Sequence, residues 1–149
     1  MATWTTFEEI DAWQKARTLT RNVYTATNQG SAAKDYGLRD QIQRSSVSVM
    51  SNIAEGFARG GVKEFLNFLH IARGSLAEVK SQLYVLLDVG HIGQAQFENI
   101  YNDASMTEVR INGLIKYLRN TDFRGAKFQT SEPEQPFELY ERTNITNLS

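Results

Sequence analysis

A chain of 149 residues, 41% hydrophobic and 22% charged, has the composition of a folded protein and the length of one domain. Its longest apolar runs are only a few residues, too short to cross a membrane, and it holds no cysteine, which excludes disulfides, thiolate catalysis and zinc-cysteine sites. The net charge of −1 is far from the basic balance of proteins that neutralise phosphates over their whole surface, although sixteen Lys and Arg residues leave room for a locally basic face.

Met1 to Thr6 carries neither a basic cluster nor an apolar stretch of the kind a secretion signal needs, so the expected location is the cytoplasm. The only prolines are Pro133 and Pro136, and nothing upstream of them forbids long helices. A first helix is expected to start at Thr5 or Thr6 as N-cap, with Glu8 or Glu9 as capping-box partner. It presents Phe7, Ile10, Trp13, Ala16, Leu19 or Thr20, and Val23 at helical spacing, and fades near Asn28-Gln29-Gly30. A second helix over about Tyr36 to Arg59 places Leu38, Ile42, Ser45, Val49, Ile53 and Phe57 on one face, and Gly60-Gly61 ends it. The third, about Val62 to Val89, carries the longest stripe: Phe65, Leu69, Ala72, Leu76, Val79, Leu83 and Leu86. Gly90 and Gly93 bracket the next turn. A fourth helix over about Gln94 to Asn120 repeats the pattern with Phe97, Ile100, Tyr101, Ala104, Ile111, Ile115 and Leu118.

Four amphipathic helices with short connections define an all-α, antiparallel up-and-down four-helix bundle over residues 1–120. Residues 121–149 hold both prolines and several acids and read as a flexible polar tail, with Phe137, Leu139 and Tyr140 as the groups through which it would dock on a neighbour.

Polar residues concentrate in the middle hairpin. Folding helices two and three back to back about Gly60-Gly61 sets Arg44 opposite Glu78, Gln41 near Gln82, and Ser48 near Gly74, where a missing side chain would let the backbones approach. Ser45, Ser46, Ser48, Ser51, Ala54 and Gly56 keep helix two slim on this side. Such a cluster reads first as a network that fixes register, with a partly buried Arg-Glu pair at its centre, and only second as a partner site. Glu55 and Arg59 stand one turn apart and can pair; Asn52 suits an inter-helix or helix-end hydrogen bond.

The strings Tyr36-Gly37-Leu38, Arg44-Ser45-Ser46-Val47-Ser48, Ser51-Asn52-Ile53-Ala54-Glu55-Gly56 and Ile71-Ala72-Arg73-Gly74-Ser75-Leu76, with Gln41, Glu78 and Gln82, resemble the 23S ribosomal-RNA intervening-sequence protein family, often called four-helix bundle protein. The likeness covers about residues 7–118. That family is similar to the accessory variability protein of diversity-generating retroelements, whose members form pentameric barrels and assist a reverse transcriptase. The resemblance therefore implies a homopentamer in an RNA-associated setting, with RNA or a reverse transcriptase as partner.

Surplus apolar residues point the same way: Ile71, Val85, Leu66 and Tyr84 on helix three and Met106, Val109 and Tyr117 on helix four lie off the main stripes, more than one bundle core can use. Scattered surface apolar residues are the plainer alternative. Catalysis is not expected, because the sequence contains no nucleophile elbow, phosphate loop or dinucleotide fingerprint. Metal binding is not expected either, since no second ligand shares the face of His70, and Asp88 three residues before His91 makes the one acidic pair where a di-iron bundle needs two Glu-x-x-His pairs; no cofactor or small-molecule substrate is indicated. The expected function is a non-catalytic RNA-associated scaffold; the alternative is a protein-interaction module that binds no nucleic acid. Candidate contacts are Arg17, Arg21, Arg39, Arg44, Arg59, Lys63, Arg73 and Lys80, although a solvated charged face accounts for many of them without a partner.

Overall fold

The computed structural model of the protein describes residues 4–123; Phe137, Leu139 and Tyr140 lie outside the described residues. Four helices make up the fold: α1 (Asp11–Thr27), α2 (Tyr36–Ala58), α3 (Val62–Asp88) and α4 (Gln94–Phe123). Short 3-10 turns at Phe7–Glu9 and Gly30–Lys34 precede α1 and α2. Each helix packs on the next and α4 returns to α1, with α2 against α3 the most extensive of these seams. This is the neighbour pattern of an up-and-down bundle.

The core is built from the expected stripes. Trp13, Ala16, Leu19 and Val23 of α1 meet Ile42, Val49 and Ile53 of α2. Phe65, Leu69, Ala72, Leu76, Val79, Leu83 and Leu86 run the length of α3 in steps of three and four, all buried. Phe97, Ile100, Ala104, Ile111, Leu114, Ile115 and Leu118 close the core from α4. Thr107 and Thr121 are also buried on α4, each satisfied by returning its hydroxyl proton to the carbonyl four residues back, Asp103 and Tyr117. Gly60 and Gly90 adopt φ of +87° and +83° just beyond α2 and α3, the left-handed geometry that ends a helix without a side-chain penalty.

Two element boundaries differ from expectation. Thr5 does engage Glu9, its amide and hydroxyl donating to the carboxylate at 3.0 and 2.9 Å, but around the 3-10 turn and outside α1. Ile10 interrupts the helix: it takes an extended conformation to drop its side chain into the core at 1% exposure, and α1 starts only at Asp11. At the other end, α4 runs on past Asn120 to Phe123, because nothing in Thr121-Asp122-Phe123 stops a helix and Thr121 is a core position. Among the described residues, no helix is long and apolar enough to cross a membrane.

Candidate functional site

The α2–α3 seam is a polar ladder, displaced by one residue from the expected register. Ser45, not Arg44, reaches Glu78, its hydroxyl donating to Oε1 at 3.2 Å. Ser48 meets the hydroxyl of Ser75 at 2.8 Å, not Gly74. One residue is about 100° of helix rotation, and this is enough to turn Arg44 outward, where it is exposed and makes no ion pair among the described residues. The expected Arg44-Glu78 pair is therefore absent. Gln41 is likewise exposed and does not meet Gln82, whose Oε1 atom is shielded from solvent with no hydrogen-bond partner among the described residues. Asn52 stays within its own helix, donating to the carbonyl and hydroxyl of Ser48 at 2.8 and 3.0 Å and so holding Ser48 toward Ser75.

Close approach of the two backbones happens at Gly56. A Cβ there would lie 2.7 Å from the Phe68 Cβ and 3.0 Å from Phe65 Cδ1. At Gly74 a Cβ would meet nothing within 4 Å among the described residues.

A second polar cluster joins the two connections at the other end of the bundle. His91, in the turn between α3 and α4, contacts the Ser31 hydroxyl through Nδ1 at 2.7 Å and Asp35 Oδ2 through Nε2 at 2.9 Å. Asp35 is also the N-cap of α2, its Oδ1 accepting from the Leu38 amide at 3.3 Å. With Asp35 committed to both a helix end and an imidazole, the trio is a clasp between loops. The His91 hydrogen bond, followed by that from Leu38, holds the Asp35 carboxyl below its usual pKa. Because the folded value lies below the unfolded one, the stabilisation is complete above the ordinary aspartate pKa and is lost as pH falls through the depressed value. We expect His91→Ala to lower the thermal unfolding midpoint near neutral pH, and the gap to the parent protein to narrow as pH falls through the depressed Asp35 value and the carboxyl is protonated in both. A gap that stays constant over that range would show that the clasp does not act through the Asp35 charge.

The basic residues separate into those held by the protein and those left to solvent. Arg39 pairs with Asp40 at 3.5 Å, donates to the Ala33 carbonyl and lies over the Tyr36 ring. Arg59 pairs with Glu55 at 2.9 Å, as the spacing requires, and covers Phe68; about half exposed on both sides, the pair contributes under about 1 kcal/mol. Lys80 is neutralised by Glu108 of α4 at 2.5 Å and sits over Tyr101. Arg17, stacked 5.8 Å from the Trp13 ring centre, and Arg21 are exposed on α1, and Lys63 is exposed at the start of α3. Among the described residues these three make no ion pair.

Arg73 behaves differently. Its Nη1 donates to Asn112 Oδ1 on α4 at 3.0 Å while its Nη2 stands 3.1 Å from His70 Nδ1. Arg119 approaches the opposite ring nitrogen, Nη2 to Nε2 at 3.4 Å. Burial, reinforced by the charges of Arg73 and Arg119, pushes the His70 pKa down. Sequence reasoning missed both Arg119 and the role of His70, since only the α3–α4 packing brings positions 70 and 119 together.

A groove of about 240 Å³ runs between the N-terminal segment and α4, lined by Trp4, Ile10, Leu114 and Tyr117, with Asp11 and Arg110 paired across it at 2.7 Å. That volume is below the usual range for small-molecule sites. Among the described residues, no group of three or more His, Asp or Glu side chains is placed to hold a metal ion.

Four helices, with a polar ladder between α2 and α3 and a basic cluster between α3 and α4, define an all-α four-helix protein. The 23S rRNA-intervening sequence protein family matches residues 8–113, and the chain belongs to that family. Among solved structures it is similar to a protein of unknown function from the S23 ribosomal protein family of Bacteroides thetaiotaomicron VPI-5482. The two share 26% sequence identity and superpose with a TM-score of 0.65, over 70% of this chain and 95% of that one. No curated protein matches the chain.

Proposed function

We propose that the protein is a non-catalytic homo-oligomer, a pentamer, that serves as an accessory or scaffold for RNA or for an RNA-handling enzyme such as a reverse transcriptase. The observation that carries the oligomer is the outer face of α3. Ile71 and Val85 of α3 and Val89, its C-cap, are 52%, 43% and 56% exposed, and Gly74 and Gln82 lie between them at helical spacing. An interior helix glycine costs about 1 kcal/mol relative to alanine, and among the described residues no atom needs the space that Gly74 leaves. A helix of a neighbouring subunit laid along this face would use that space and cover the exposed valines. The likeness to the pentameric retroelement accessory proteins supports the same assembly.

Support for RNA comes from the family to which the chain belongs and from Arg17, Arg21, Arg44 and Lys63, exposed cations without an ion pair among the described residues. A net charge of −1 favours the second reading, in which the same faces hold a protein partner and no nucleic acid. A mobility-shift titration with a structured RNA decides between them. Direct binding requires affinity to fall with log salt with a slope of roughly 0.7–0.9 per phosphate contacted; a blank lane at low salt, with a protein partner retained after nuclease treatment, selects the interaction module.

A further inference from the structure

The geometry points to a binding site for a phosphate group in the α3–α4 seam, formed by Arg73, Arg119 and His70, with a phosphodiester of an RNA strand as its occupant. Its assignment to RNA rests on the RNA-associated reading above; the phosphate chemistry of the site does not.

The inference follows from counting donors. A neutral imidazole has one nitrogen that donates and one that accepts, and a guanidinium only donates. His70 has a guanidinium nitrogen at each ring nitrogen, 3.1 Å away on the Arg73 side and 3.4 Å on the Arg119 side. Whichever tautomer is present, one N–H of the ring faces an N–H of an arginine, and protonation makes both contacts donor against donor. Neither arginine has an ion pair among the described residues, and the charged groups that bear on His70 are Arg73 from its own helix and Arg119 from α4. Farther along the same seam the protein handles the identical problem with a carboxylate, Glu108 on Lys80. At His70 no such anion is supplied from within the described chain.

The cluster is also aimed. Asn112 fixes one arm of Arg73, which directs the other arm at the ring, while Arg119 is exposed and can close on a ligand from solvent. A phosphate group docked beside the ring would offer separate oxygens to the two guanidinium groups and to the imidazole N–H, converting a surplus of donors into charge-assisted hydrogen bonds. Binding would raise the depressed His70 pKa, so affinity for the phosphodiester should increase as pH falls.

The chain has two histidines, so the imidazole signals of His70 can be followed by NMR with His91 as internal control. Inorganic phosphate and a short single-stranded RNA are titrated separately into the full chain and into the Arg73→Gln/Arg119→Gln variant, whose fold is checked by circular dichroism and the His91 signal. The expected result is a saturable His70 shift with both ligands, His91 unmoved, and loss of the shift in the variant together with a roughly tenfold or greater drop in RNA affinity. A His70 shift with inorganic phosphate but not with RNA keeps the phosphate site and removes RNA as its occupant. A silent His70, or an equal saturable shift in the variant, overturns the site, and RNA binding that persists unchanged in the variant then leaves the scaffold reading standing without it.

Discussion

Phe65→Ala should destabilise the protein by about 3–5 kcal/mol, the largest effect expected of a single truncation here. Phe65 is fully buried, the largest side chain in the core to be so, and its ring meets Phe57 edge to face with centroids 6.1 Å apart. It also lies against Gly56, where a Cβ would stand 3.0 Å from its ring and α2 and α3 are in close contact. Two helices pinned at that point cannot move together to fill the space left by a lost ring, so the cavity remains and its cost adds to the lost transfer energy. Urea unfolding should show the lower midpoint with an unchanged slope. A loss below about 1 kcal/mol would mean that the hairpin relaxes freely, contrary to the packing described.

Gly56→Ala is expected to be destabilising even though alanine is the better helix former by about 1 kcal/mol. The added methyl would stand 2.7 Å from the Phe68 Cβ, an atom fixed to the backbone that cannot swing aside. Overpacking of this kind costs about 1–3 kcal/mol, and here it has to be relieved by sliding α3 away from α2. That movement would also stretch the Ser45-Glu78 and Ser48-Ser75 contacts, so the net change should be a loss of about 1–2 kcal/mol. Equilibrium unfolding measures it; a gain in stability would show that the seam is looser than its distances indicate.

Much of this fold was legible in the sequence because its signals are local. Periodic apolar residues and the stops at Gly60 and Gly90 bound α2, α3 and α4 to within a few residues. The start of α1 was not legible, since a capping pattern at Thr5 and Glu9 does not disclose that Ile10 leaves the helix to enter the core. Register in the α2–α3 seam is a finer quantity. A mirror count through Gly60-Gly61 comes within one residue of the observed pairing, yet one residue exchanges an outward Arg44 for an inward Ser45. The mirror count therefore places the two helices side by side but does not resolve which side chains meet. His91 with Ser31 and Asp35, and His70 with Arg119, were unreadable for a different reason: each joins residues far apart in the chain, and nothing in the spacing of a single helix encodes a contact between elements.

The two glycines on the hairpin make opposite statements. Gly56 is explained by Phe65 and Phe68 within the chain, whereas a Cβ at Gly74, exposed on the same helix face as Ile71, would meet nothing within 4 Å among the described residues, and the proposed assembly would use that space. Assembly through that face is the central claim, and the mass of the protein in solution tests it most directly. Light scattering of the full chain at micromolar concentration should return a mass near five times the 16.9 kDa of one chain, and a value of 16.9 kDa would contradict it.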